Sequence, residues 1–216
     1  MDTNSRYYLF LLVLMSAVIV GLYNLRQKDK PVKIMVLLLC ITLASELTAY
    51  WAAVKFQNNM FVYHIFAPVQ LLILAKYFDE IEPYLKKQKV GIIVGIVGIL
   101  GTIINTYFYQ SINTLNSNFL LFEGLIIMGL SLYTFRRILN TETINIYRYP
   151  YFWFNIILVF FWSVTYTIWA LYSVMLIKKI FLMPYIATVL WGVSTISYLA
   201  MAVVLFTFSN KRLENA

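Results

Sequence analysis

Charge is what this sequence has least of. Only 12% of its 216 residues are charged, against 62% hydrophobic, and the mean hydropathy is +0.77; such values exclude an ordinary water-soluble domain. It has one cysteine, Cys40, so an intramolecular disulfide is impossible, and the position of Cys40 within an apolar run reads as a packed thiol. With a single histidine and no HExxH run, the usual metal-ligand patterns are missing. There is no GxSxG elbow and no Ser/His/Asp order. Linkers rich in Pro, Gly or Ser, low-complexity tracts and strong internal repeats are absent too, so 1–216 reads as one domain.

What the chain does have is seven long apolar runs, over residues 7–23, 32–54, 60–78, 90–108, 118–135, 151–174 and 182–208. In lipid every backbone polar group must be satisfied within its own segment, so each run is expected to be a helix. The expected fold is all-α: a polytopic seven-helix transmembrane bundle. Seven spans of about 20 residues take up roughly 140 residues and leave no room within this sequence for a soluble catalytic, nucleotide-binding or nucleic-acid-binding domain. The polar start MDTNSR followed by an apolar stretch without a small-residue cleavage site reads as a retained first helix.

Lys and Arg outnumber Asp and Glu 17 to 9, and membrane topology explains the excess better than nucleic acid does, so no nucleic-acid partner is expected. Basic residues gather in the first connection (Arg26, Lys28, Lys30, Lys33), the third (Lys76, Lys86, Lys87, Lys89), the fifth (Arg136, Arg137, Arg148) and the tail (Lys211, Arg212). The other side carries Arg6, Lys55, Lys178 and Lys179. Under the positive-inside rule this bias predicts an outside N-terminus and a cytoplasmic C-terminus, in a bacterial inner membrane. The pair Lys178 and Lys179 breaks an almost continuous apolar stretch and is expected to mark a hairpin between the sixth and seventh spans.

Ionisable groups inside spans cost about 2.5–3.5 kcal/mol on insertion scales, which makes them the best pointers to function. There are three: Glu46, His64 and Glu123. At the helical rise they lie about 12, 6 and 8 Å below one surface, the outer one. This common depth predicts a polar pocket in the outer half, with Tyr50 on the Glu46 face at i+4, Asn58, Asn59 and Tyr63 at the rim and Tyr166 on the far wall, flanked by Trp162 and Trp169. The alternative is that each group is satisfied locally and locks the bundle. Gly91, Gly95 and Gly98 form one small face on the fourth span, suited to close packing against another helix in the chain or in a second copy. No metal or other cofactor is expected.

Three stretches, NNMFVYHIFAPVQLLILAKYF, FLLFEGLIIMGLSLYTFRRIL and YPYFWFNIILVFFWSVTYTIWALY, resemble a group of small uncharacterised bacterial seven-span proteins. The matching positions are Glu46, Asn58, Tyr63, His64, Glu123, Pro150, Phe152 and Trp153; Gln70 stands where that group often has an acid. The resemblance implies no activity, and it directs attention to Glu46, His64 and Glu123. The function expected is a sensor, binding or scaffold protein that passes the state of its pocket to a membrane or cytoplasmic partner, or acts as a homo-oligomer in the lipid bilayer. A transporter or channel using Glu46 and Glu123 is the alternative, and a membrane enzyme acting on lipid is a third. The ligand, whether small molecule or ion, is not readable.

Overall fold

The computed structural model describes residues 3–140, 146–178 and 183–208. Eight α-helices follow in order: α1 (Thr3–Leu22), α2 (Lys30–Phe56), α3 (Met60–Ile81), the short α4 (Pro83–Lys87), α5 (Val90–Phe108), α6 (Ser117–Leu139), α7 (Pro150–Lys178) and α8 (Met183–Thr207). All but α4 are long and apolar enough to cross a membrane, as expected of an integral membrane protein. Several start or stop at recognisable signals. Pro31 follows the first residue of α2, where a missing N–H costs nothing, and Gln57 ends that helix in the left-handed conformation. Pro68 is accommodated inside α3, which continues unbroken.

The runs read from sequence correspond to these helices within about four residues. α7 continues to Lys178, and Lys179 lies outside the described residues, as do Lys211 and Arg212. The hairpin expected between the last two spans fits the packing of α7 against α8. Within the connection after α3, the segment DEIEPYLKKQK supplies α4, and a 3-10 turn, Ile146–Arg148, precedes α7.

The helices are not equivalent. α1, α2, α3, α6, α7 and α8 pack in that order, and α8 returns onto α1 to close a ring of six. α5 stands outside the ring, against α3. Its small face makes this contact possible. A Cβ added at Gly91 would lie 2.8 Å from the carbonyl oxygen of Ala75, at Gly95 2.2 Å from Leu72 Cδ1, and at Gly98 2.7 Å from Leu71 Cδ2. The glycine face therefore serves a neighbour within the chain. The rest of α5 presents exposed Ile92, Ile96, Leu100 and Ile103.

Contacts between connections define the two ends of the bundle. At one, Asn58 Nδ2 donates to the carbonyl of Asn113 at 3.3 Å, and Arg6 of α1 donates to Thr188 of α8. This is called the amide end, since Asn105, Gln110, Asn116 and Asn118 hydrogen-bond one another there. At the other, basic end, Glu80 takes Lys30 and Lys86 at 2.9 Å each and Lys76 at 3.4 Å, and Arg137 lies 3.6 Å from Glu82. Tyr151 of α7 donates to Asp29 before α2. Burial raises the Glu82 carboxyl above its ordinary value despite the opposing pull of Arg137. Burial likewise raises the nearby Tyr149 hydroxyl, and the negative charges of Glu82 and Asp29 add to the shift.

Candidate functional site

A cavity of about 330 Å³ occupies the centre of the six-helix ring in its amide half. Three helices line it through faces with the i, i+3, i+7 spacing of one helical stripe. On α3 these are Tyr63, Phe66 and Gln70. On α7 they are Trp162, Thr165 and Trp169, and on α8 Trp191, Ser194 and Tyr198. α2 adds Thr42 and Glu46, α1 adds Phe10, and α6 adds Leu120. Every helix of the ring contributes, and α5 does not. Asn59, Met60 and Leu115 bring the cavity to the connections of the amide end.

Towards the basic end the space narrows to a crevice of about 20 Å³ that Thr42, Gln70 and Ser197 share with Leu74, Leu158 and Met201. Below it the helices are tightly packed: Leu71, Leu74, Tyr77, Phe78, Phe154 and Leu205 are each 0–1% exposed. The cavity is thus open towards one end of the ring and floored by apolar side chains at the other.

Among the described residues Glu46 is the only acid lining this space, and no Lys, Arg or His lines it. The Tyr63 hydroxyl lies beside the Glu46 carboxylate, near enough to interact with it, and the Tyr7 hydroxyl donates to the Glu46 backbone carbonyl at 3.2 Å. A carboxylate has acceptor capacity well beyond one such neighbour, so Glu46 retains lone pairs for a further partner.

The other groups expected at the pocket lie elsewhere. His64 turns outward from the ring to α5 and its following connection. Its Nδ1 pairs with Thr106 Oγ1 at 2.8 Å and its Nε2 with the carbonyl of Thr114 at 2.9 Å, so the ring is held as a structural tie. One turn from Glu46, Tyr50 leans onto α1, stacked on Tyr7 at 5.5 Å. Asn58 binds Asn113 and accepts from the Met60 N–H at 2.9 Å, organising the start of α3 while its neighbour Asn59 faces the cavity. Tyr166 lies against the Gly124 site of α6, leaving Trp162 and Trp169, on either side of it in sequence, to line the cavity through the adjacent face of α7.

Glu123 is separate again. It is 0% exposed and does not line the cavity, and neither carboxylate oxygen has a hydrogen-bond partner among the described residues. Two further polar groups on the buried side of α6, the hydroxyls of Ser131 and Thr134, also lack partners. Glu46, His64 and Glu123 therefore share a depth without sharing a site. A common depth constrains position along the helix axis only, and the angle around each helix sends one acid to the centre, the imidazole to α5, and the other acid into a sealed contact.

The aromatic wall of α8 was not singled out from sequence, although Trp191, Ser194 and Tyr198 carry the same helical spacing as the α3 and α7 faces. The Glu80 cluster is not legible in DEIEPYLKKQK, which reads as a loop long enough for a short amphipathic piece; the Glu80 side chain is nearly buried under three lysines. Among the described residues no three His, Cys, Asp or Glu side chains come together as a metal site. No protein-family model matches the chain, and no curated protein or solved structure is similar to it.

Proposed function

We propose that the protein is a small membrane binding protein or sensor whose central cavity takes a small ligand and whose ring reports occupancy to a membrane or cytoplasmic partner. The observation that carries this reading is that all six ring helices line one cavity. A ligand seated there touches each of them, and a ligand that fits one arrangement of the ring better than another shifts the population between them. The volume lies near the lower edge of the roughly 300–1,000 Å³ usual for small-molecule sites, and the mixture of apolar walls with a few polar groups is also typical. The apolar floor favours binding over conduction. With the basic end in the cytoplasm, as the positive-inside rule has it, the cavity opens outside a bacterial inner membrane. The bare outer face of α5 is then available to lipid or to a partner.

The test uses the purified full chain in lipid nanodiscs. Trp162, Trp169 and Trp191 line the cavity, so ligand entry is read as a change in tryptophan fluorescence across a panel of small apolar and amphipathic molecules. Ser194→Phe fills the space from α8 and is expected to abolish the response while the chain stays folded. A response unchanged in that variant, or none across the panel, contradicts the reading.

A second reading, transport of a proton or ion, draws on the unpartnered Glu123, Ser131 and Thr134 of α6. It predicts proton flux into liposomes that Glu123→Gln abolishes. Absence of flux, or flux indifferent to that change, contradicts it.

A further inference from the structure

The charge balance of the cavity narrows the ligand class. Among the described residues the cavity is lined by one carboxylate, Glu46, and by no positive side chain, so an anion there would face repulsion. Aromatic rings make up much of the wall, with Tyr63, Phe66, Trp162, Trp169, Trp191 and Tyr198 among them. Ring faces carry the negative lobe of their quadrupole and attract a cation. The acid and the rings therefore favour the same sign of charge.

Hydrogen-bonding capacity narrows it further. The Thr42 hydroxyl already donates to the Leu38 carbonyl at 2.8 Å, and the Thr165 hydroxyl to that of Phe161 at 2.8 Å. Besides Glu46 and its neighbour Tyr63, the polar groups of the wall are Asn59, Gln70, Ser194, Tyr198 and the indole N–H groups of Trp162, Trp169 and Trp191. These groups are set in an otherwise aromatic and apolar wall, so a ligand with a single polar head has fewer groups to satisfy there than a sugar or polyol, whose every hydroxyl must regain what it loses on leaving water. A hard metal ion is matched less well, since Glu46 is the one carboxylate among the described lining residues that could offset its charge.

We infer that the cavity is a site for an amphipathic organic cation, an ammonium group on an apolar body, with Glu46 as counter-charge and the aromatic wall as its cage. This inference rests on the reading of the cavity as a binding site. Tyr63 stands beside the Glu46 carboxylate, and the tryptophans of α7 and α8 close around the apolar part. An ammonium carrying alkyl groups gives up less hydration than a bare ion on entering such a space, and the rings replace part of what it loses.

The experiment compares three probes on the full chain in nanodiscs by tryptophan fluorescence titration: benzyltrimethylammonium, its neutral isostere neopentylbenzene, and the anion phenylmethanesulfonate. The cation is expected to bind at least about tenfold tighter than the isostere, and the anion not at all. Glu46→Gln is expected to abolish the preference for the cation and leave the isostere's affinity within about twofold. Glu46→Asp keeps the charge and most of the preference. Isostere binding also serves as the check that each variant is folded, and the wild-type comparison stands without any variant. Equal affinity for cation and isostere, or a preference that survives Glu46→Gln, overturns the inference and leaves the cavity as an apolar binding site. If wild-type protein binds none of the probes, the inference falls; if in addition it fails to respond to the wider panel, the binding reading falls with it.

Discussion

Glu46 and Glu123 lie in the same half of one bundle, and their surroundings are opposite. Glu46 opens on a central cavity, has the Tyr63 hydroxyl beside it and faces aromatic walls. Glu123 is wholly buried with no partner for either oxygen among the described residues. Both carry the cost of an acid inside a span, yet only the first has a space into which a ligand can bring compensation. The contrast extends to the halves themselves. The amide half surrounds a cavity, while in the basic half Leu71, Leu74, Tyr77, Phe78 and Phe154 leave almost no exposed surface. Cost marks a residue as unusual, and the space around it decides what it can do.

The sharpest way to break this comparison is to change volume in each half. Leu74→Ala in the packed half is expected to destabilise by about 2–5 kcal/mol, since neighbours there relax only in part around the void. Ser194→Phe, which adds volume in the cavity half, is expected to change the thermal midpoint little. A comparable loss in both variants, measured by thermal unfolding in one detergent, would mean that the halves are equally packed.

Next in size is backbone approach. Gly91→Ala places a methyl group against the Ala75 carbonyl oxygen, which cannot rotate away as a side chain can, and is expected to cost about 1–3 kcal/mol. Gly101→Ala meets nothing within 4 Å and is expected to leave stability unchanged or slightly raised. Equal effects at the two glycines would place α5 elsewhere than on α3.

The two acids can be compared directly. Glu123→Leu removes a buried polar group that has no partner and is expected to stabilise by about 1–3 kcal/mol, with ligand response retained. Glu46→Leu is expected to eliminate cation binding and to remove the carboxylate beside the Tyr63 hydroxyl. A stabilised Glu46→Leu variant that still binds would reverse their assignments.

A smaller effect is expected at the basic end. Because the folded-state Glu82 carboxyl is raised above its ordinary 4.5, its ionised form disfavours the fold, and this contribution to stability improves as pH falls through the carboxylate range. Glu82→Gln is expected to weaken that pH dependence slightly. A steeper dependence in the variant would contradict the sign.

The seven spans were legible because lipid allows few solutions for a chain with long apolar runs, and the fourth span was read to the residue, 90–108. The packing face of Gly91, Gly95 and Gly98 was legible as well, since three small residues at helical spacing invite close approach; which helix fills it was not. The site was legible in part. Glu46, Asn59, Tyr63, Trp162 and Trp169 reach the cavity, whereas His64, Tyr50, Asn58, Tyr166 and Glu123 share only depth or spacing with them. Rotation about each helix axis depends on which neighbours it has, and the position of α5 outside the ring is set by long-range packing that a linear pattern does not encode. That position is what draws His64 away from Glu46.

Access to the cavity is the most direct test of its role. In a Cys40→Ala background, single cysteines at Ser194 in the cavity and Ser131 in the sealed contact are exposed to a small thiol-reactive ammonium reagent in sealed vesicles of known orientation. Ser194→Cys should react rapidly from the outer side, be protected by benzyltrimethylammonium and react more slowly when Glu46 is replaced by Gln, while Ser131→Cys stays unreactive. An inert Ser194→Cys beside a reactive Ser131→Cys would contradict the assignment of the central cavity as the binding site.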